Sequence, residues 1–152
     1  MGLAENRPEE GDPRARRARK SARRSFRRDQ LEFELEFFAD LLDRDPCHVA
    51  VLRAHARNLS ILGRYQRALP LDRRLTRLRP DRPVVWYNLA CTFARLGRIE
   101  AAFETLDHAL KLGYRRLRRL VSDPDLRPLR DDPRFQRILR DAMRAVPRRA
   151  AG

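Results

Sequence analysis

Between Pro83 and Tyr114, apolar residues recur at spacings of three and four in two runs. Trp86, Leu89, Ala90, Phe93 and Leu96 form the first, and Ile99, Ala102, Phe103, Leu106, Ala109 and Leu110 the second. This spacing marks one face of a helix in each run. Gly97 stands between them and suits the left-handed turn that ends one helix before the next begins. A helical hairpin of this length cannot bury both apolar faces by itself, so it should stack on copies of itself.

A copy lies 34 residues upstream. Gly63 precedes Gly97 by that interval, and Leu59, Leu62, Tyr65, Ala68, Leu69 and Leu78 precede Phe93, Leu96, Ile99, Ala102, Phe103 and Leu112 by the same one. Pro80 follows Pro46 at the same interval, each closing an apolar helical stretch. A third, partial unit is therefore expected further upstream. There Leu31, Leu35, Phe38 and Leu42 make a helical stripe, although the alternation from Leu31 to Phe37 also fits a strand. The 34-residue register decides for helix, because it sets this segment level with the second helix of each later unit.

Trp86, Leu89, Ala90, Gly97, Ala102 and Ala109, with Gly63, Tyr65, Ala68 and Pro80, resemble the signature of the tetratricopeptide repeat. The match departs at Tyr114, where family repeats close with proline, at Leu52, which replaces the tryptophan, and at Asp72, where the family prefers an apolar residue. Residues Gly113 to Phe135 resemble the end-of-group tail that closes many bacterial proteins of this type. The resemblance spans roughly Gln30 to Met143 and implies an all-α fold, a short right-handed α-α superhelix (solenoid) of about three helical hairpins. Its expected parts are a partial repeat at 29–48, repeats at 49–82 and 83–116, and capping helices at 117–144. Asp123-Pro124 and Asp132-Pro133 each pair a capping aspartate with a proline suited to the first helical position. Pro70, inside the second helix of the first full hairpin, should remove a hydrogen bond and kink that helix.

Charge changes this picture at the amino-terminal end. The 152 residues carry 35 Lys and Arg against 21 Asp and Glu, a net +14. Nine of the basic residues fall between Arg14 and Arg28 with no acid among them, whereas Asp29 to His48 holds seven acids against Arg44 alone, a local −6. Residues 1–28 read as a disordered basic arm that self-repulsion keeps extended or only partly helical, although Ala15, Ala18, Ala22 and Phe26 recur at helical spacing and also fit an eroded first helix of the partial repeat. Residues 145–152 read as a frayed tail. Part of the excess charge should be matched internally, since Arg64, Arg67, Arg73 and Arg74 lie one repeat after the acidic stretch. Near-exclusive arginine is also what a GC-rich coding sequence produces on ordinary solvated faces.

Two cysteines, Cys47 and Cys91, are too few for a disulfide framework, and no apolar run approaches the roughly 20 residues that span a bilayer. The arginines near the amino terminus are followed by no apolar core, so they do not read as a secretory signal. A cytoplasmic protein is the expectation. His48, His55 and His108 are expected on three different helices and share no site with a carboxylate or nucleophile. Asp131-Asp132 and Asp123/Asp125 read as helix caps rather than an acid-base pair, and neither a metal nor a phosphate loop is indicated. No enzyme and no cofactor are expected.

What remains is surface. In a superhelix of hairpins the first helix of each unit lines the concave side. That stripe offers Arg53 and Arg57 from the first full unit and Tyr87, Asn88, Cys91 and Arg95 from the second. The resemblance implies a basic clamp for peptide carboxylates, of which Arg53, Arg57 and Asn88 form part. The expected role is an adaptor or scaffold that holds an acidic peptide or partner protein on the concave face. The alternative is an RNA- or polyanion-binding protein acting through Arg16, Arg17, Arg19, Lys20, Arg23, Arg24, Arg27 and Arg28.

Overall fold

A computed structural model describes residues 12–144; the expectations for residues 1–11 and 145–152 lie outside them. Among the described residues there are seven α-helices, one 3-10 helix and no strand. The helices are α1 (Pro13–Arg44), α2 (Val49–Ile61), α3 (Tyr65–Leu78), α4 (Pro83–Arg95), α5 (Ile99–Lys111), α6 (Leu117–Ser122) and α7 (Pro133–Arg144), with the 3-10 turn at Pro124–Leu129 between the last two. Each of the first five packs on its neighbour in sequence. The turns that join α2 to α3 and α4 to α5 carry Gly63 at φ 73° and Gly97 at φ 72°, the left-handed conformation expected of them.

The apolar stripes meet between these helices. Leu52, Leu59, Ala68, Leu75, Ala90, Ala102, Leu106 and Ala109 are at most 1% exposed. Alanine at the closest approaches lets neighbouring helices pack tightly, and leucine fills the space between them. Leu31, Leu35 and Leu42 bring the second half of α1 onto this core. The chain then turns back through α6 and the 3-10 segment, whose Leu120, Leu126 and Leu129 are fully buried, and α7 adds Phe135 at 1% exposure.

The basic arm is corrected by the structure. From Pro13 to Gln30 it is not disordered but is the first half of the 32-residue α1. Asp12 caps the helix, its Oδ1 accepting from the Arg14 amide at 2.8 Å, and Pro13 takes the first position. Arginine and alanine are good helix formers, and no glycine or proline interrupts the run until Pro46. The packed second half supplies the nucleus, so each further residue adds a hydrogen bond without a new initiation cost. Repulsion at spacings of four costs only a few tenths of a kcal/mol per pair, which is too little to unwind it.

A second expectation is modified at Pro70. Helix α3 runs through it without interruption. Pro70 is exposed, so the carbonyl one turn earlier loses its amide partner on a side open to water, where the loss is cheapest. The histidines also differ in placement, since His48 caps the helix that carries His55. His48 Nδ1 caps α2 by accepting from the Val51 amide at 3.3 Å, and His55 is buried within α2.

Candidate functional site

The cap returns across the face of α4. Tyr87 on α4 is 1% exposed; its ring stacks on Tyr114 at 4.2 Å and 8°, and its hydroxyl donates to Asp123 Oδ2 at 2.9 Å. Arg119 Nε donates to the same carboxylate oxygen at 3.1 Å. Two residues on, Asp125 Oδ1 accepts from the Tyr65 hydroxyl at 2.9 Å and faces Arg95 Nε at 3.8 Å. The Arg95 guanidinium also lies over the Tyr65 ring, 5.1 Å from its centre. The two aspartates expected as caps therefore act twice. Asp123 caps the 3-10 turn through the Asp125 amide at 3.1 Å, and together they tie that turn to α3 and α4.

This divides the concave residues expected from the sequence. Tyr87 and Arg95 are engaged by the cap, and Cys91 is buried at 7% exposure, which raises its thiol pKa well above the usual range. Tyr87 and Cys91 are thereby closed to a ligand, whereas Arg95 remains exposed beside Asp125. Arg53 and Arg57 are exposed on α2 and Asn88 is half-buried on α4, and these three border a small cavity of about 90 Å³. Its wall includes Asp72, 3% exposed, which accepts from Thr92 Oγ1 at 2.6 Å. Burial pushes the Asp72 carboxyl up to about 6. The wall also includes Asp123 and Asp125, so an incoming carboxylate would meet three acids beside the arginines.

A larger groove of about 480 Å³ opens at the amino-terminal ends of α2 and α4. Arg53, Arg79, Arg82, Arg115 and Arg116 surround it, Val49, Pro83, Val84 and Val85 form its aliphatic part, and no acidic residue lines it. Val84 is 42% exposed. Both helix ends add the partial positive charge of the helix dipole. Of these arginines only Arg53 stands out in the sequence, because the rest sit in turns rather than on an amphipathic face. One signal could have found two more: Arg82 and Arg116 stand one 34-residue period apart, so successive turns deliver them to the same edge.

The eight basic residues of the alternative reading, Arg16, Arg17, Arg19, Lys20, Arg23, Arg24, Arg27 and Arg28, are all exposed along α1. Internal matching of charge occurs lower on that helix. Glu32 receives a two-pronged pair from Arg64 at 2.7 and 2.5 Å, and Glu34 accepts from Asn58 Nδ2 at 2.6 Å. Among the described residues no group of three or more His, Cys, Asp or Glu side chains could hold a metal ion, and no helix is long and apolar enough to cross a membrane.

No family model matches the chain. Over 81 residues it is 35% identical to a chloroplastic protein of Arabidopsis thaliana. That alignment takes in 51% of this chain and 24% of the plant protein, so the chain spans about a quarter of that relative's length.

Proposed function

We propose that the chain is a non-enzymatic protein-interaction module of the tetratricopeptide-repeat type, a short superhelix that holds an acidic peptide segment of another protein. The five-arginine groove carries this reading. Its arginines complement carboxylates, and its valines and proline give an apolar side chain of the same peptide somewhere to pack. The 34-residue spacing of the two hairpins and their glycine turns support the repeat reading. The groove lies at the edge of the expected concave face and shares Arg53 with it. Tyr87 and Cys91 are too buried to take part. A cytoplasmic setting, in keeping with two free cysteines, belongs to the same proposal.

Binding of a fluorescently labelled glutamate-rich peptide bearing one central leucine tests it, with a single-stranded RNA oligonucleotide as the competing probe. Arg82→Glu/Arg116→Glu should weaken the peptide by about tenfold or more, since like charge now faces the ligand. Arg53→Glu should reduce it less, and Arg73→Glu/Arg77→Glu on α3 should leave it near wild type. Equal losses from the α3 reversals would show that overall positive charge, not the groove, binds the peptide. Tighter binding of RNA, lost on removal of residues 1–28, would favour the polyanion alternative.

A further inference from the structure

From Pro13 to Gln30 every side chain of α1 except that of Ala15 is exposed, so about 27 Å of helix stands away from the core. Its outer side carries Phe26, Phe33 and Phe37 at spacings of seven and four, one helical face, with exposures of 73%, 69% and 51%. Three phenylalanines on one solvent face are an exposed apolar stripe of the kind that marks a contact, broken between Phe26 and Phe33 by Asp29 and Gln30. The same helix is divided in charge. Nine cations and no anion lie between Arg14 and Arg28, and beyond them Glu36, Asp40 and Asp43 are exposed, with no ion-pair partner among the described residues.

We infer that this face of α1 pairs with α1 of a second copy of the chain, the two helices antiparallel about a twofold axis. A twofold contact must be self-complementary, and a helix basic in one half and acidic in the other is so only when reversed. A parallel pair would set cation against cation. The antiparallel register that brings Phe26 level with Phe37 also brings Arg23 level with Asp40 and Phe33 with Gln30, and it sets the basic half of each helix alongside the acidic half of the other. The twofold axis repeats each of these pairings. Phe26, Phe33 and Phe37 then lie along the middle of the contact, with the Arg23–Asp40 pairing at each end. A nucleic acid fits this helix less well, because phosphates drawn to the basic half would run into the acidic half and leave Phe33 and Phe37 uncovered. The inference is independent of the arginine groove, which lies at the starts of α2 and α4.

Sedimentation velocity of the full chain, freed of nucleic acid by nuclease and a high-salt wash, tests it across a range of concentrations at low salt. The expected result is a dimer that forms with rising concentration and dissociates as salt is raised. Phe26→Ser/Phe37→Ser should abolish it. Two charge variants test the charge pairing, one acidic along its whole α1 (Lys20→Glu/Arg23→Glu/Arg27→Glu) and one basic (Glu36→Arg/Asp40→Arg/Asp43→Arg). Each should be monomeric alone, and an equimolar mixture should restore the dimer. All the altered side chains are exposed, so circular dichroism should report folded variants. A wild-type monomer at every concentration, a phenylalanine variant that still dimerises, or a mixture no more associated than its parts would overturn the proposal. So would a larger species that vanishes on nuclease treatment.

Discussion

Trp86 shows how one residue joins the two cores. Half-buried, it packs against both the cluster around Leu52 and Leu75 and the one around Leu106. Its Nε1 donates to the Pro80 carbonyl at 2.8 Å, and its ring meets His108 edge-on at 4.2 Å. Trp86→Ala should therefore cost about 3 kcal/mol or more of unfolding free energy in a denaturant titration. An unchanged midpoint would mean that the two clusters do not need the bridge. Asp72 makes a pH-dependent case. Its folded-state pKa of about 6 lies above the ordinary 3.8, so the folded protein holds the proton more tightly than the unfolded chain. Stability from this group is complete below the ordinary value and is lost as pH rises through about 6, a total of about 3 kcal/mol. Asp72→Asn should thus be the more stable protein at about pH 7.5 and lose that advantage near about pH 3.5. Parallel urea titrations of both proteins at the two pH values would show it. Leu52 is fully buried, and Tyr114 stacks on Tyr87.

At the scale of elements, α1 behaves as two segments on one backbone. No side chain before Leu31 is buried among the described residues, so the first half derives its helicity from its cap, its composition and the packed half beneath it. Deleting residues 1–28 should remove helical circular dichroism in proportion to the lost residues. At concentrations too low for self-association it should change the unfolding free energy of the remainder by less than about 0.5 kcal/mol. A large loss of stability would mean that the exposed half packs on the core. Helix α3 illustrates the opposite balance. Its interior proline forfeits one hydrogen bond, yet Ala68, Leu69, Leu75 and Thr76 are buried on its inner face, and tertiary packing outweighs the local preference.

At the scale of the whole molecule, the carboxy-terminal cap determines which surface remains open. Leu120, Leu126 and Leu129 close the core, while Asp123 and Asp125 hold the cap to Tyr87, Tyr65 and Arg95. Arg134 fastens α7 by pairing with Glu100 at 2.6 Å and lying over the Phe103 ring at 4.2 Å. Leu126→Ala should cost about 2–5 kcal/mol and loosen the cap first, so limited proteolysis should cut after Tyr114 sooner than in the α2–α5 region. Cleavage elsewhere in the chain would show that the cap and the hairpins unfold as one unit.

The local rules of the chain were sufficient for the helices α2 to α5 and for the glycine turns, because the 3.6-residue period and the left-handed turn are properties of neighbouring residues. Asp-Pro pairs announced the 3-10 turn and α7 for the same reason. The sequence likewise isolated Arg53, Arg57 and Asn88 as surface. What only the tertiary structure decided was the return of the cap onto α4, which buries Tyr87 and engages Arg95, and the gathering of Arg79 and Arg115 beside Arg82 and Arg116 at one edge. Both depend on the path the chain takes after Gly113, and so on contacts between residues about thirty or more positions apart, such as Tyr87 with Asp123. No local periodicity encodes such contacts.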